Sequence, residues 1–292
     1  MSPQTVAYLM AGGATVMWGL VVIPIKRART SGRLGIAISM AIGTIAMFAL
    51  SGRDIAILAR LSYPELGLYA VTGVLQFPLG CTLYYRAVQH GSLSVAVPIT
   101  RVKTIIILFL SIALGLEVFR WGLLAAALMA LFGGIMVGAP TSAADGDERV
   151  SHWTAVGYAV GACVFWAIGE TFMGLLPHRV PAMASNGMLL GCGLVAWSVY
   201  ALVSGAWREL LAMPGHDIWC FLAHGLLSFA TGYALFVAAI QIAGPPRVVI
   251  ITSTYPLIAA LVGWIGYGER FSVPLLIGAI LLIGGVITLQ FV

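Results

Sequence analysis

The chain has 292 residues, of which 61% are hydrophobic and only 9% charged, and its mean hydropathy is +1.02. No soluble domain of this length needs so much apolar surface, so an ordinary water-soluble globule is excluded. The net charge of +5 is modest and does not indicate a nucleic-acid partner. Apolar runs predict ten spanning helices, at Thr5–Ile25, Leu34–Gly52, Gly67–Tyr85, Ser92–Gly115, Trp121–Ala139, Trp153–Leu176, Pro181–Ser204, Ile218–Ile242, Val248–Tyr267 and Ser272–Val292. These runs reach or approach the roughly 20 residues that cross a bilayer. The first run lacks the basic start and small-residue cleavage site of a signal peptide and reads as a retained helix. Most connections are short. The one clearly polar central segment is Pro140–His152, with Asp145, Asp147, Glu148 and Arg149. It divides the chain into a first five-helix repeat (1–139), a linker (140–152) and a second five-helix repeat (153–292). Five spans per half force the halves into opposite orientations. The expected fold is therefore an all-α integral membrane protein of ten transmembrane helices in two inverted repeats, in an inner (plasma) membrane of bacterial type.

The halves match in sequence. At a shift of 152 residues Gly80 meets Gly232, Gln89 meets Gln241, Val97 meets Val249, Ile99-Thr100 meets Ile251-Thr252 and Glu117 meets Glu269. At 148, Gly13-Ala14 meets Gly161-Ala162 and Trp18 meets Trp166; at 151, Gly133-Gly134 meets Gly284-Gly285. Duplicated apolar halves point to a secondary transporter with its substrate site between them. Lys26, Arg27, Arg29 and Arg33 follow the first span, and the loops on that side carry eight cations against five opposite. Cationic loops mark the cytoplasmic side, which favours an outside N-terminus, but eight against five leaves orientation open.

Polar residues inside the spans are the candidate site. Arg101 and Lys103 lie about ten residues into the fourth span, where a charge costs about 2.5–3.5 kcal/mol and must face protein or water. Two residues apart is about 200° of helix, so at most one of them points into a central cavity. The alternative is a span that starts after Lys103, with both cations snorkelling at the interface. Glu170 is the only carboxylate well inside a span and shares a helix face with Trp166 four residues before it. It would bind a substrate ammonium, titrate a proton or pair with Arg101 or Lys103; the alternative is a headgroup-level residue at a helix end. Trp18 and Trp166 hold equivalent mid-span positions away from the interfacial belts, and would line opposite walls of one cavity. Tyr84, Tyr85, Tyr233 and Tyr255 add hydroxyls and aromatic faces, against a reading as packing or lipid-facing rings. Opposite charges on the two walls would suit a zwitterion. Glu117 and Glu269, beside Arg120 and Arg270, are expected to fix helix ends through local charge pairs. His224 reads as a hydrogen-bonded packing residue, with a proton relay as the alternative.

Cys81, Cys163, Cys192 and Cys220 fall inside spans without CxxC spacing and read as small packing residues rather than metal ligands. No HExxH, Gly-x-Ser-x-Gly or Walker sequence is present, so hydrolysis, ATP coupling and cofactor chemistry have no visible apparatus and the chain is not expected to be an enzyme. The 35 glycines suit close helix packing, and Pro24, Pro78, Pro98 and Pro256 can kink the spans.

The residues Ala14-Thr15-Val16-Met17-Trp18-Gly19, Ala162-Cys163-Val164-Phe165-Trp166-Ala167, Tyr255-Pro256-Leu257-Ile258-Ala259-Ala260 through Tyr267-Gly268-Glu269-Arg270, Ile277-Gly278-Ala279 and Gly284-Gly285 give the chain a resemblance over its whole length. It resembles the ten-helix EamA-type branch of the drug/metabolite transporter superfamily and, within that branch, the YddG-like amino-acid exporters. The first half departs from the pattern: Thr104 stands where Pro256 stands, and Arg101 and Lys103 stand for Ser253 and Tyr255. The resemblance implies alternating access and export of small metabolites, above all amino acids, aromatic ones included, with broad side-chain tolerance. The partners implied are the substrate and the bilayer, with protons as a further candidate. The residue chemistry alone leaves organic anions or phosphorylated sugars as rival substrates, and a membrane-embedded enzyme or scaffold as a rival class.

Overall fold

A computed structural model describes residues 1–29, 32–90, 96, 99–137, 149–267 and 272–292. The linker acids Asp145, Asp147 and Glu148, with Val97, Pro98, Gly268, Glu269 and Arg270, lie outside the described residues. So do the side chains of Lys26, Arg33, Gln89, His90, Arg149 and His152.

Among the described residues the backbone is helical, without strands, and groups into ten spans. α1 comprises Pro3–Leu20 and Val22–Arg27, and α2 is Gly32–Ser51. α3 runs through Tyr63–Val74, Leu75–Cys81 and Thr82–His90. α4 contains Lys103–Ala113 and a preceding turn from 99, and α5 is Trp121–Val137. α6 is Arg149–Met173 and α7 Ala182–Ser204. α8 runs through Gly215–His224, Gly225–Gly232 and Tyr233–Ala243; α9 comprises Pro245–Thr252 and Tyr255–Tyr267; α10 is Val273–Thr288. Among the described residues eight helical stretches are long and apolar enough to cross a membrane, with the shorter apolar Trp121–Val137 beside them. Outward-facing side chains such as Leu9, Ile45, Val203 and Ile280 are exposed and apolar, as a lipid solvent requires.

Several spans are broken, and proline explains three of the breaks. Pro24, Pro78 and Pro256 each remove the N–H that would bond to the carbonyl four residues back. α1 is interrupted at Val21, α3 widens into a π-helical segment at Leu75–Cys81, and α9 breaks at Ser253–Thr254. α8 carries a matching π segment at Gly225–Gly232 without a proline. α4 breaks at the twin position of α9 although Thr104 replaces the proline. Val102 N donates to the Ile99 carbonyl at 3.1 Å, just as Thr254 N donates to Ile251 at 3.1 Å. Non-helical backbone at membrane depth survives only where protein or a cavity satisfies it, so these breaks mark the interior.

Packing follows the duplication. α6 lies against α3 and α4 from the first half; its twin α1 lies against α8 and α9 from the second. The self-twin pairs α2 with α7 and α5 with α10 complete the bundle. Exchanging the halves maps this pattern onto itself, which is the contact signature of two inverted five-helix repeats. Small residues allow the close approaches: a Cβ on Gly133 of α5 would lie 2.8 Å from the Gly278 carbonyl oxygen of α10.

Candidate functional site

The clusters α3–α4–α6 and α1–α8–α9 face each other across a cavity of about 160 Å³. One side is lined by Cys81, Tyr84, Tyr85, Lys103, Trp166 and Glu170. The other is lined by Trp18, Val21, His224, Ser228, Phe229, Tyr233 and Tyr255. Eight of the nine side chains singled out in the sequence therefore line one cavity, and Arg101 stands behind it.

Each tryptophan docks into the π segment of the opposite half. Trp166 Nε1 donates to the Gln76 carbonyl at 3.0 Å, and its ring lies over Gly80, where a Cβ would come within 2.5 Å of the indole. Trp18 lies over the twin glycine, Gly232, at 2.7 Å from the position of a Cβ. The π geometry opens carbonyls to side-chain donors. In α8 those carbonyls go instead to α7, where Asn186 Nδ2 donates to Phe229 at 2.8 Å and to Ala230 at 3.2 Å. Trp18 Nε1 is buried without a partner among the described residues. Aromatic contacts extend both walls: Trp166 to Tyr84 at 5.2 Å, Trp18 to Tyr233 at 5.1 Å and to Tyr255 at 6.4 Å.

Lys103 and Glu170 form an ion pair at 2.5 Å, with side chains 19% and 2% exposed. Lys103 Nζ also lies 5.3 Å from the Trp166 ring centroid. Both charges sit on one wall, on α4 and α6. The expectation of opposite charges on opposite walls is thus corrected, because α4 packs on the sixth helix of the other half rather than facing it across the cavity. Glu170 Oε1 takes Lys103 and, at 3.4 Å, Gln76 Nε2; Oε2 has no partner among the described residues. Burying such a pair costs several kcal/mol per ion, so it is poor evidence for stability and stronger evidence for use.

Arg101 points away from Lys103, as two residues of helix require. It is 4% exposed, packs its stem on Gly134 of α5, and donates from Nη2 to the Tyr255 hydroxyl at 2.6 Å with its guanidinium 4.6 Å from that ring. Arginine only donates, so Tyr255 accepts and keeps its own proton for a partner in the cavity. Tyr233 is in the same position, because Gln76 Nε2 donates to its hydroxyl at 2.8 Å. Gln76, fully buried and tied to both walls, is not among the residues that the sequence singles out. Its signal was an uncharged polar residue in mid-span, two residues before Pro78. The cavity thus presents Lys103, Tyr233 and Tyr255 as donors, with the Glu170 carboxylate buried in its wall.

The face bearing the N-terminus is held by further ion pairs. Glu117 does not pair with Arg120 as expected: it bonds to Arg247 of α9 at 3.0 and 3.3 Å, while Arg120 bonds to the Val292 carbonyl. The α4–α5 turn lies beside the start of α9, which sequence proximity does not reveal. Arg179 grips Glu65 at 2.6 and 2.7 Å across α3 and the α6–α7 loop.

The profile of the EamA-like transporter family matches residues 5–139 and again 153–291. An uncharacterized transporter from Archaeoglobus fulgidus is 24% identical over 220 residues, covering 75% of this chain and 74% of that one. A crystal structure of another protein, 17% identical, superposes with a TM-score of 0.80 over 98% of this chain and 96% of its own. The last likeness shows the fold alone; the duplicated family match, the ten-span bundle and the cavity between its halves together make this chain a multi-pass integral membrane protein that belongs to the EamA-like transporter family.

Proposed function

We propose that the protein is a secondary transporter working by alternating access, that it exports amino acids, aromatic ones included, and that the cavity is its substrate site. The observation that carries this reading is the Lys103–Glu170 pair in an aromatic-walled cavity at the interface of the halves. A zwitterion can split the pair, its carboxylate taking Lys103 with the Tyr233 and Tyr255 hydroxyls and its ammonium taking Glu170. Both charges on one wall read the shared amino-acid backbone, while the facing wall of Trp18, Phe229 and Val21 accepts varied side chains. Arg101 holds Tyr255 rather than substrate. The volume of about 160 Å³ is close to that of engineered cavities that take benzene, about 150 Å³. An aromatic amino acid therefore requires the walls to part, as alternating access provides.

The export direction is supported by placement. Val21, Tyr84, Tyr85 and His224 lie toward the helix ends on the more cationic side, while two ion pairs tie the N-terminal face. With the cationic side cytoplasmic, the cavity loads from the cytosol. Phosphorylated sugars or organic anions are disfavoured because the Glu170 carboxylate stands beside Lys103, the cation at the cavity among the described residues. Flux of labelled amino acids through proteoliposomes, with unlabelled amino acids and sugar phosphates as competitors, tests the reading. Amino acids are expected to compete and phosphates not; the reverse order would remove the amino-acid assignment. A pH gradient imposed in the same vesicles tests whether Glu170 also exchanges a proton.

A further inference from the structure

His224 lines the cavity, yet neither the charge pair nor the tryptophan walls use it. Its Nδ1 lies 2.8 Å from Ser39 Oγ of α2, and Ser39 Oγ in turn donates to the Phe221 carbonyl at 2.9 Å. Ser39 has a single proton, so both contacts form together only when His224 Nδ1 carries the hydrogen and donates it. That tautomer leaves Nε2 as a bare acceptor. The backbone fixes the arrangement: α2 and α8 approach so closely here that a Cβ on Gly225 would lie 2.7 Å from the Ser39 carbonyl oxygen. The Phe229 ring holds the imidazole edge-on, with centroids 5.0 Å apart at 68°. No protein donor reaches Nε2 among the described residues.

Three side chains separate the acceptor from the charge pair along the contacts of the cavity wall. From Glu170 the contacts run through Gln76 to Tyr233, then ring to ring to Phe229 at 5.9 Å and on to His224. Resting on the amino-acid reading above, we infer that His224 reads the far end of the substrate side chain, accepting a hydrogen bond from a phenol O–H or an indole N–H. The cavity then prefers tyrosine and tryptophan over phenylalanine, which offers no donor.

The test compares labelled tyrosine and phenylalanine in proteoliposomes holding the full chain. His224→Asn keeps an N–H near Nδ1 for Ser39 and deletes the Nε2 acceptor. One neutral hydrogen bond sets the scale, so the variant should lower the tyrosine-to-phenylalanine ratio of kcat/KM by about two- to tenfold. Phenylalanine is the internal reference, so the ratio is read whatever the variant does to total flux. An unchanged ratio, or equal loss for both substrates, would overturn the inference by making His224 a packing residue. A second measurement needs no variant: in the wild type, 1-methyltryptophan should compete more weakly than tryptophan, and equal competition would count against the acceptor role. A wild type that moves phenylalanine and tyrosine equally sinks only this inference. One that moves no amino acid sinks the substrate class and this inference with it.

Discussion

Replacing Gly80 by alanine tests the docking of Trp166 on the π segment of α3. The new Cβ would lie 2.5 Å from Trp166 Cδ1 and Nε1 and 3.0 Å from the Leu75 carbonyl oxygen. The indole cannot retreat easily, because Nε1 is bonded to Gln76 and the ring packs against Tyr84 at a tilt of 41° and under Lys103. Overpacking of this kind costs about 1–3 kcal/mol, against a gain near 1 kcal/mol from exchanging glycine for alanine in a helix. Trp166→Ala alone should cost about 3–5 kcal/mol. In the Trp166→Ala background the clash with the indole is gone, so adding Gly80→Ala should cost about 1–3 kcal/mol less than it does in the wild type. The coupling between the two sites is then about 1–3 kcal/mol. The Leu75 contact is present in both backgrounds and cancels. Thermal unfolding of the four detergent-purified proteins measures the cycle, with Gly12→Ala as the control, since a Cβ there meets nothing within 4 Å. An equal cost of Gly80→Ala with and without the indole would refute the docking.

Trp18→Ala and Trp166→Ala should each reduce amino-acid flux at matched membrane expression, and wild-type rates in both would remove the cavity walls from the mechanism. Lys103→Met or Glu170→Gln alone leaves one buried charge or amide without its partner and should destabilise by about 3–5 kcal/mol for the charge left behind. The double variant should recover much of that in melting curves while transport stays lost; recovery of transport would show that the pair is structural. Tyr255→Phe removes the hydroxyl that accepts from Arg101 and should cost about 1.5–3 kcal/mol in thermal unfolding. Glu65→Gln breaks the solvent-facing two-bond pair with Arg179 and should lower stability in melting curves only slightly.

Much of this was legible in the sequence because lipid imposes it. Apolar length delimits spans, and the matched Gly80/Gly232 and Trp18/Trp166 betray the duplication. What could not be read was which twin meets which. That each indole rests on the other half's glycine depends on contacts across 86 and 214 residues, such as Trp166 with Gly80 and Trp18 with Gly232. The placement of Lys103 and Glu170 on one wall has the same origin, since only the exchange of partners between repeats brings α4 to α6. Spacing did separate Arg101 from Lys103, because helix geometry is local. The break in α4 was hidden: without the proline of α9, the local sequence looks continuous, and the twin symmetry of the fold carries the turn. His224 looked like packing because its Ser39 partner lies 185 residues away.

The zwitterion claim is tested most directly by competition in proteoliposomes loaded for counterflow of one labelled amino acid. Unlabelled substrate is compared with its N-acetyl derivative, which lacks the ammonium, and its amide, which lacks the carboxylate. Each deletion removes one charge-assisted contact, so each derivative should compete at least about tenfold more weakly than the free amino acid. Equal competition by all three, or no counterflow above protein-free vesicles, would contradict a site built on Lys103 and Glu170.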